Sequence, residues 1–451
     1  MQLVTLLPMF ACIWVLYRKN TQTAFLWVVL PCLLLTPSYF SMILRPLPGL
    51  TMIECSVLPV MVAIVIFGGL RWRPSLMDVW VILFLVSAGY GDKQVGKSTQ
   101  AIFTWFAGTI TFLGFYMAGK MLIEQTGFRN KVVRLFVLLV AFSSIVSSFE
   151  YFFRSNPYSR FWSHFYPSQY APFTTQIRWG FGRMAGLFGQ SEIAGIVMAT
   201  AWLFALWIGR TNFQEDYYAV RPKSVFVRGK LLLWATFVAL FMTQARGPWI
   251  GAAMGLCVAN IGRAQRPLLR AFVVVALLIG VGIPVYTLGK DYIAGPRKNY
   301  GSEKETAQYR AQLIDNYIPV AQRGGAWGYG LNFPQMGGQD SIDNEYLLVW
   351  LTQGWVGLSA LVLILAHTLL TLIVAAVRAS TTRERHFALT MIGILVTLGF
   401  TISTVYLGGQ TPSLLFLLVG WAQSIRAPKQ ADRWIQNEEM YRAPAQSRLA
   451  G

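Results

Sequence analysis

The sequence predicts an all-α, polytopic integral membrane protein of about 12–13 transmembrane helices. Three observations predict it. The chain of 451 residues is 55% hydrophobic and only 13% charged, far more apolar than an ordinary soluble domain. Stretches such as VLPVMVAIVIFGGL and LLVWLTQGWVGLSALVLILAHTLLTLIVAAV recur along the whole length and approach or exceed the roughly 20 apolar residues that cross a bilayer as helix. Finally, the connections on one side of these stretches are basic and the short ones on the other nearly uncharged, with ten further Lys and Arg in two long loops, as orientation in a membrane predicts.

Taken in order, the expected spans start near residues 2, 23, 52, 76, 100, 132, 190, 230, 247, 268, 344, 387 and 411. The opening MQLVTLLPMF lacks a basic leader and a small-residue cleavage site, so it reads as a retained first helix. With Met1 outside, the connections on the inner side and the basic tail from Arg426 hold 24 of the 38 Lys and Arg, whereas the short outer connections hold only Arg45, Lys93, Lys97 and Arg246. The formal charge of +19 therefore orients the protein toward anionic inner-leaflet lipid and does not indicate nucleic acid. Cys12, Cys32, Cys55 and Cys257 lie in or beside spans without metal or disulfide spacing, and read as small buried hydrophobes.

The organisation expected is a block of N-terminal helices over 1–150, a long outer loop over 151–189, helices over 190–289 that include a corner at Arg246, a large outer loop over 290–343, C-terminal helices over 344–426 and an inner tail over 427–451. Glu54, Asp78 and Glu150 sit near span ends, and the paired midplane charges and broken half-helices of a secondary transporter are not evident.

Residues 91 to 99, GDKQVGKST, match the phosphate-binding pattern G-x-x-x-x-G-K-[ST] letter for letter. The match lies between two apolar spans, on the side away from the basic connections, so it reads as a short polar outer turn with no ATP partner. Lys93 and Lys97 remain candidate contacts for an anionic carrier.

Chemistry concentrates on the outer side. Arg178 and Arg183 in QIRWGFGRMAGLFG, Arg246 in TQARGPWIG and Arg310 in QYRAQLID stand where a lipid-linked phosphate would meet water, and guanidinium groups fork onto phosphate while staying charged. Each of these arginines also suits a snorkelling interface side chain, and Arg246, alone in a tight corner between two apolar helices, is the stronger functional candidate. Asp340, Asp343 and Glu345 form a small acidic group with the oxygen ligands of a divalent cation, but the ligands are few and the reading assigns no metal. Tyr346, Trp350, Trp327 and Tyr329 suit either sugar stacking or a membrane-interface belt. His164 reads as a surface residue, and His367 and His386 lie away from the outer face.

Four segments in order, RMAGLFGQSEIAG, TQARGPWIG, YRAQLIDNYIPVAQRGGAWGYG and DNEYLLVWLTQGWVGL, make residues 180–360 resemble the O-antigen ligase and polymerase superfamily of bacterial envelope glycosyltransferases. The resemblance implies a GT-C-like membrane fold in the bacterial inner membrane, with the N-terminus periplasmic and the C-terminus cytoplasmic. It implies transfer of a glycan from undecaprenyl pyrophosphate at the periplasmic face without cofactor, nucleotide sugar or metal. Its partners would be the lipid-linked glycan, the bilayer, and the chain-length regulator and flippase of the same pathway.

Carried over by motif position, Arg183, Arg246 and Arg310 contact the pyrophosphate, with Arg178, Asn344 and Tyr346 as further substrate contacts. The ligases place a histidine before the asparagine of the last motif, as activator of the acceptor hydroxyl. Here that position is Asp343, a carboxylate able to act as general base or to cap the following helix. The aspartate inclines the expectation to a repeat-unit polymerase of exopolysaccharide or O-antigen, with ligation to lipid A core as the enzymatic alternative and a lipid-linked oligosaccharide flippase or exporter as the alternative of another class.

Overall fold

The computed structural model describes residues 2–43, 48–68, 72–124, 127–169, 175–210, 223–264, 302–336 and 341–425. Among them the chain forms fourteen helices and two hairpins of two-residue strands. The helices are α1 (Gln2–Arg18), α2 (Thr21–Leu35), α3 (Met52–Gly68), α4 (Leu76–Gln94), α5 (Ser98–Leu122), α6 (Phe128–Phe153), α7 (Pro157–Ser163) and α8 (Ser191–Arg210). They continue with α9 (Lys223–Met242), α10 (Arg246–Gly262), α11 (Ser302–Arg323), α12 (Glu345–Val377), α13 (Thr382–Thr401) and α14 (Thr411–Ile425). Twelve of the thirteen expected spans are helices at the expected places, and the one starting near 268 lies outside the described residues. The protein is thus an all-α, multi-pass membrane protein. Four helices, α5, α6, α8 and α12, are long and apolar enough to cross a bilayer by length and composition alone, and α1, α2, α3, α9 and α14 carry shorter apolar runs.

Local signals set the helix starts. Asn20 accepts the Thr23 amide at 2.8 Å to open α2. Thr51 and Glu54 form a reciprocal capping box on α3, with the Thr51 amide on Glu54 Oε2 at 2.8 Å and the Glu54 amide on Thr51 Oγ1 at 3.2 Å. Small residues let helices approach closely where the bilayer supplies no hydrophobic drive. On α10, an added Cβ at Gly255 would fall 2.2 Å from the Gly393 carbonyl of α13, and Thr397 Oγ1 donates to the Gly251 carbonyl at 2.9 Å. Two of the shorter-range surprises concern charge and cysteine. Lys120, one of the 24 Lys and Arg that the sequence reading assigns to the inner side, lies inside α5, buried, and pairs with Asp78 at 2.6 Å. Cys12, Cys32 and Cys55 are buried as expected, whereas Cys257 is exposed on α10, on a surface a bilayer would cover.

The large outer loop is not all loop. Its described part begins with α11, on which Leu313, Tyr317, Val320 and Ala321 form one apolar stripe packed on Leu347 and Leu351 of α12. Next, residues 324–332 dock into a break in α12 at Gly354 (φ 67°, ψ −162°), a conformation open to glycine alone. There the backbone groups freed by the break are satisfied by the docked loop: Tyr329 N donates to Leu351 O at 2.8 Å, and Trp355 and Val356 donate to Gly325 and Ala326.

GDKQVGKST completes this joint. Gly91 belongs to the last turns of α4, where a Cβ would fall 2.4 Å from Thr352 O and 2.8 Å from Gly330 N. Asp92 is fully buried and accepts the Leu331 amide at 2.8 Å, and Lys97 Nζ donates to Asn332 at 2.5 Å. The segment is a helix end, a turn with Gly96 at φ 82° and a second helix start, where a phosphate loop would need a strand before the glycines.

Candidate functional site

Connections that the sequence reading places on the outer side are tied to one another at one end of the bundle by specific bonds. Gln169 exchanges two hydrogen bonds with the backbone of Ser41, Gln410 donates to Thr36 O at 2.9 Å, and Met184 N donates to Met242 O at 3.1 Å. This end encloses a cavity of about 670 Å³ walled by the 150–192 segment, α11, the entrance of α12 and residues 404–405.

One wall begins at the end of α6. Glu150, 2% exposed, receives the amides of Ala185 (3.0 Å) and Gly186 (2.7 Å) on Oε2 and the Thr175 hydroxyl (3.0 Å) on Oε1, so a buried carboxylate holds the loop that follows the hairpin. Gly186 has φ 56°, and a Cβ there would meet Ser147 Oγ at 2.3 Å. The hairpin pairs Ile177–Arg178 with Phe181–Gly182 around Trp179 and Gly180, both at positive φ (54° and 82°) as a two-residue hairpin turn requires. A tryptophan in that conformation is uncommon and strained, a feature concentrated at functional sites.

Arg178 and Arg183 both line the cavity. Arg178 Nη1 donates to Gln244 O at 2.7 Å and so ties the hairpin to the α9–α10 corner. Arg183 is 8% exposed, with Nη1 on Gln176 Oε1 and Nη2 on Glu192 Oε1, each at 2.5 Å, while its Nε has no hydrogen-bond acceptor among the described residues.

Arg310 comes from α11 on the opposite wall. Its Nε is likewise buried without an acceptor among the described residues. Tyr309, beside it, clamps Ser341: the phenol donates to Ser341 O at 2.5 Å and accepts the Ser341 amide at 3.2 Å. Ser341 Oγ in turn donates to Asp343 Oδ1 at 2.8 Å. This short relay places Arg310 and Asp343 on one wall, although 33 positions of chain separate them in the numbering.

Asn344, not Asp343, caps α12, with its Oδ1 on the Leu347 amide at 3.1 Å. Asp343 is therefore not needed for the cap. Tyr346 donates to the Gly399 carbonyl at 2.9 Å and, like Asn344, does not line the cavity. Glu345 is turned into the protein, where Oε2 accepts the Leu407 amide at 2.7 Å. Hence the expected acidic group does not converge: Asp343 faces the cavity, Glu345 faces away, and Asp340 lies outside the described residues. Among the described residues no three His, Cys, Asp or Glu side chains gather as a metal site. Trp327 packs on Tyr90 at 4.4 Å and Trp350 on Trp355 at 4.2 Å, so these rings belong to the α12 joint. His164 is exposed, with Nδ1 2.7 Å from Arg160 O.

Arg246 opens α10 at the rim, exposed, with its guanidinium carbon 5.9 Å from the centre of the Trp179 ring. Its neighbour Gly247 abuts Thr404, a cavity residue, so closely that a Cβ would lie 2.2 Å from Thr404 Oγ1. The preceding Gln244 has φ 50°, a second strained residue at this corner.

The cavity wall thus carries three guanidinium groups (Arg178, Arg183, Arg310) and three carboxylates (Glu150, Glu192, Asp343). Glu192 neutralises Arg183 and Glu150 is engaged by backbone amides, leaving Arg178, Arg310 and Asp343 as the less enclosed charges. Nearby, burial pushes the Tyr406 phenol above its usual range, and the carboxylates of Asp343, Glu192 and Glu345 reinforce the shift against a hydrogen bond from Gln190. Sequence reasoning placed Glu150 only at a loop edge and passed over Glu192 and Gln190, because nothing in their local pattern distinguishes an inward carboxylate or amide from a helix-start residue.

Residues 231–362 match a family model described as O-antigen ligase. The matched segment contains Arg246, Arg310, Asp343, Asn344 and Tyr346, and leaves the Glu150, Arg178, Arg183 and Glu192 wall outside it. A comparison with curated proteins found no match.

Proposed function

We propose, from the match of residues 231–362 to the O-antigen ligase model, that the chain is a member of the O-antigen ligase/polymerase superfamily and a periplasmic-face glycosyltransferase that polymerises undecaprenyl-pyrophosphate-linked repeat units. The observation that carries the reading is the single cavity in which Arg178, Arg183, Arg310 and Asp343 meet, with Arg246 at its rim. Guanidinium groups at such a site suit a pyrophosphate, and two of them hold a buried Nε–H without an acceptor among the described residues, a condition a bound anion would relieve.

In the proposed reaction the acceptor hydroxyl attacks the anomeric carbon of the lipid-linked sugar. A carbon–oxygen bond forms, the bond to the pyrophosphate oxygen breaks, and the hydroxyl proton passes to Asp343. Negative charge grows on the departing lipid pyrophosphate, where fixed arginines stabilise it more in the transition state than in the ground state. The Ser341 hydroxyl keeps Asp343 oriented. The donor is already activated, so the reaction requires no nucleotide. In this reading the cavity faces the periplasm and the protein resides in the inner membrane, N-terminus outside; a membrane-impermeant thiol reagent that reached cysteines placed at Lys93 and Lys97 only from the cytoplasm would reverse that orientation.

The match to an O-antigen ligase model favours a second reading, ligation to lipid A core, and one experiment separates the two. Deletion of the gene, followed by sizing of the lipid-linked glycans, is expected to leave single repeat units on the carrier. Full-length polymer on the carrier would indicate ligation instead.

A further inference from the structure

Beside the arginine-lined cavity lies a second one, of about 430 Å³, between the α2–α3 connection, the start of α3, α5 and the start of α14. The two share Gly189 and Gln190 as a common partition. Their chemistry differs. No Lys, Arg or His lines the second cavity among the described residues, so it offers no counter-charge to phosphate. It offers instead the hydroxyls of Ser38, Tyr39 and Thr111, the amide of Gln190, the ring of Tyr406 and one carboxylate, Glu54. Hydroxyl donors and acceptors, an amide, a carboxylate and aromatic faces together match a neutral polyol, which presents several O–H groups on a C–H face.

Glu54 is divided between two roles. Its Oε2 closes the capping box of α3, whereas Oε1 has only a long contact, 3.5 Å, to Thr111 Oγ1 among the described residues. Acceptor capacity is therefore left on the cavity side. Thr111 itself stands on a π-helical stretch, Thr109–Gly114, that interrupts α5, and such bulges concentrate at functional sites.

We infer that this second cavity seats the uncharged terminal sugar of the acceptor glycan, held by Glu54 and Thr111, with its reactive hydroxyl directed past Gln190 toward Asp343. The inference rests on the reading of the arginine-lined cavity as the seat of the donor pyrophosphate. A transfer reaction needs two substrates side by side, and two cavities of opposite character with a shared partition supply that arrangement.

The test is equilibrium binding to the purified full-length protein in lipid nanodiscs. The probes are the host's repeat-unit oligosaccharide released from its carrier and, separately, the delipidated core oligosaccharide. Inorganic pyrophosphate serves as competitor. Glu54→Gln keeps the capping box, since glutamine serves there as well as glutamate, and is expected to weaken oligosaccharide binding about tenfold through loss of a charged acceptor. Thr111→Val, which leaves the cap untouched, is expected to weaken it by a smaller factor, and pyrophosphate is expected not to compete. Binding of the repeat unit identifies a polymerase acceptor and binding of the core a ligase acceptor.

The inference is overturned if the wild type binds neither oligosaccharide, if both variants bind like the wild type, or if pyrophosphate displaces the sugar. Extension of lipid-linked units by the same wild-type preparation is scored separately. Sugar binding lost in Glu54→Gln without any extension would uphold the inference and sink the polymerase reading, and extension without such binding would do the reverse.

Discussion

Arg183 and Arg246 are the same residue type at the same end of the bundle, each at a turn before a helix, and sequence reasoning assigned both to pyrophosphate. The structure treats them differently. Arg183 is buried and bridges Gln176 and Glu192, so most of its hydrogen-bonding capacity holds the 176–192 wall together. Arg246 is exposed at the rim, over Trp179, on a corner fixed by the Arg178–Gln244 bond and by the packing of Gly247 on Thr404. On the proposed reading the two arginines act differently: the paired Arg183 shapes the wall, and the rim Arg246 meets the ligand. Arg310 and Asp343 resemble Arg246 more than Arg183, because the relay from Tyr309 through Ser341 orients them without an ion pair between them among the described residues.

The predictions follow that division, from the largest effect to the smallest. Asp343→Asn is expected to lower the rate of chain extension about 1,000-fold with the protein's abundance and melting unchanged, since it removes the general base and leaves the Asn344 cap intact. Full extension by that variant would reduce Asp343 to a structural role. Glu192→Ala strands a buried guanidinium and is expected to cost about 3 kcal/mol of stability, read as a lower midpoint of thermal unfolding in detergent; a melting point equal to wild type would show that the Arg183–Glu192 pair does not hold the wall together. Arg246→Ala should do the opposite: about 100-fold slower extension, as for loss of one donor to a developing oxyanion, at unchanged stability. Normal polymer length in cells carrying this variant would remove the rim arginine from the mechanism. Tyr346→Phe loses only the bond to the Gly399 carbonyl, about 1 kcal/mol of stability, and should extend glycans at the wild-type rate. A large rate defect there would bring Tyr346 back into the substrate site.

The joint at GDKQVGKST shows where local reading stops. Its apolar flanks were enough to exclude a phosphate loop, because a span on either side leaves no strand and no domain to support one. They were not enough to predict that Asp92 would be buried under Leu331, or that Gly91 would let Gly330 and Thr352 approach, since both partners lie more than 200 residues away. The segment over 290–343 reads in the sequence only as a long connection between spans, yet within it Leu313, Tyr317, Val320 and Ala321 recur at helical spacing, a signal present in the sequence.

Glu150 and Glu192 mark the limit from the other side. A carboxylate near a helix end is ordinarily solvated or a cap, and only the fold shows that one is buried among backbone amides and the other paired with Arg183. By itself, the sequence determined the all-α membrane fold, the positions of twelve helices and the resemblance of the 231–362 segment to O-antigen ligases, because bilayer thickness, helical spacing and short motifs are local properties written in consecutive residues. Only the tertiary structure decided which arginines face a cavity, which acid stands beside them, and that a second cavity without basic side chains among the described residues adjoins the first, because each depends on contacts between segments far apart in the chain whose geometry is set when the helices pack.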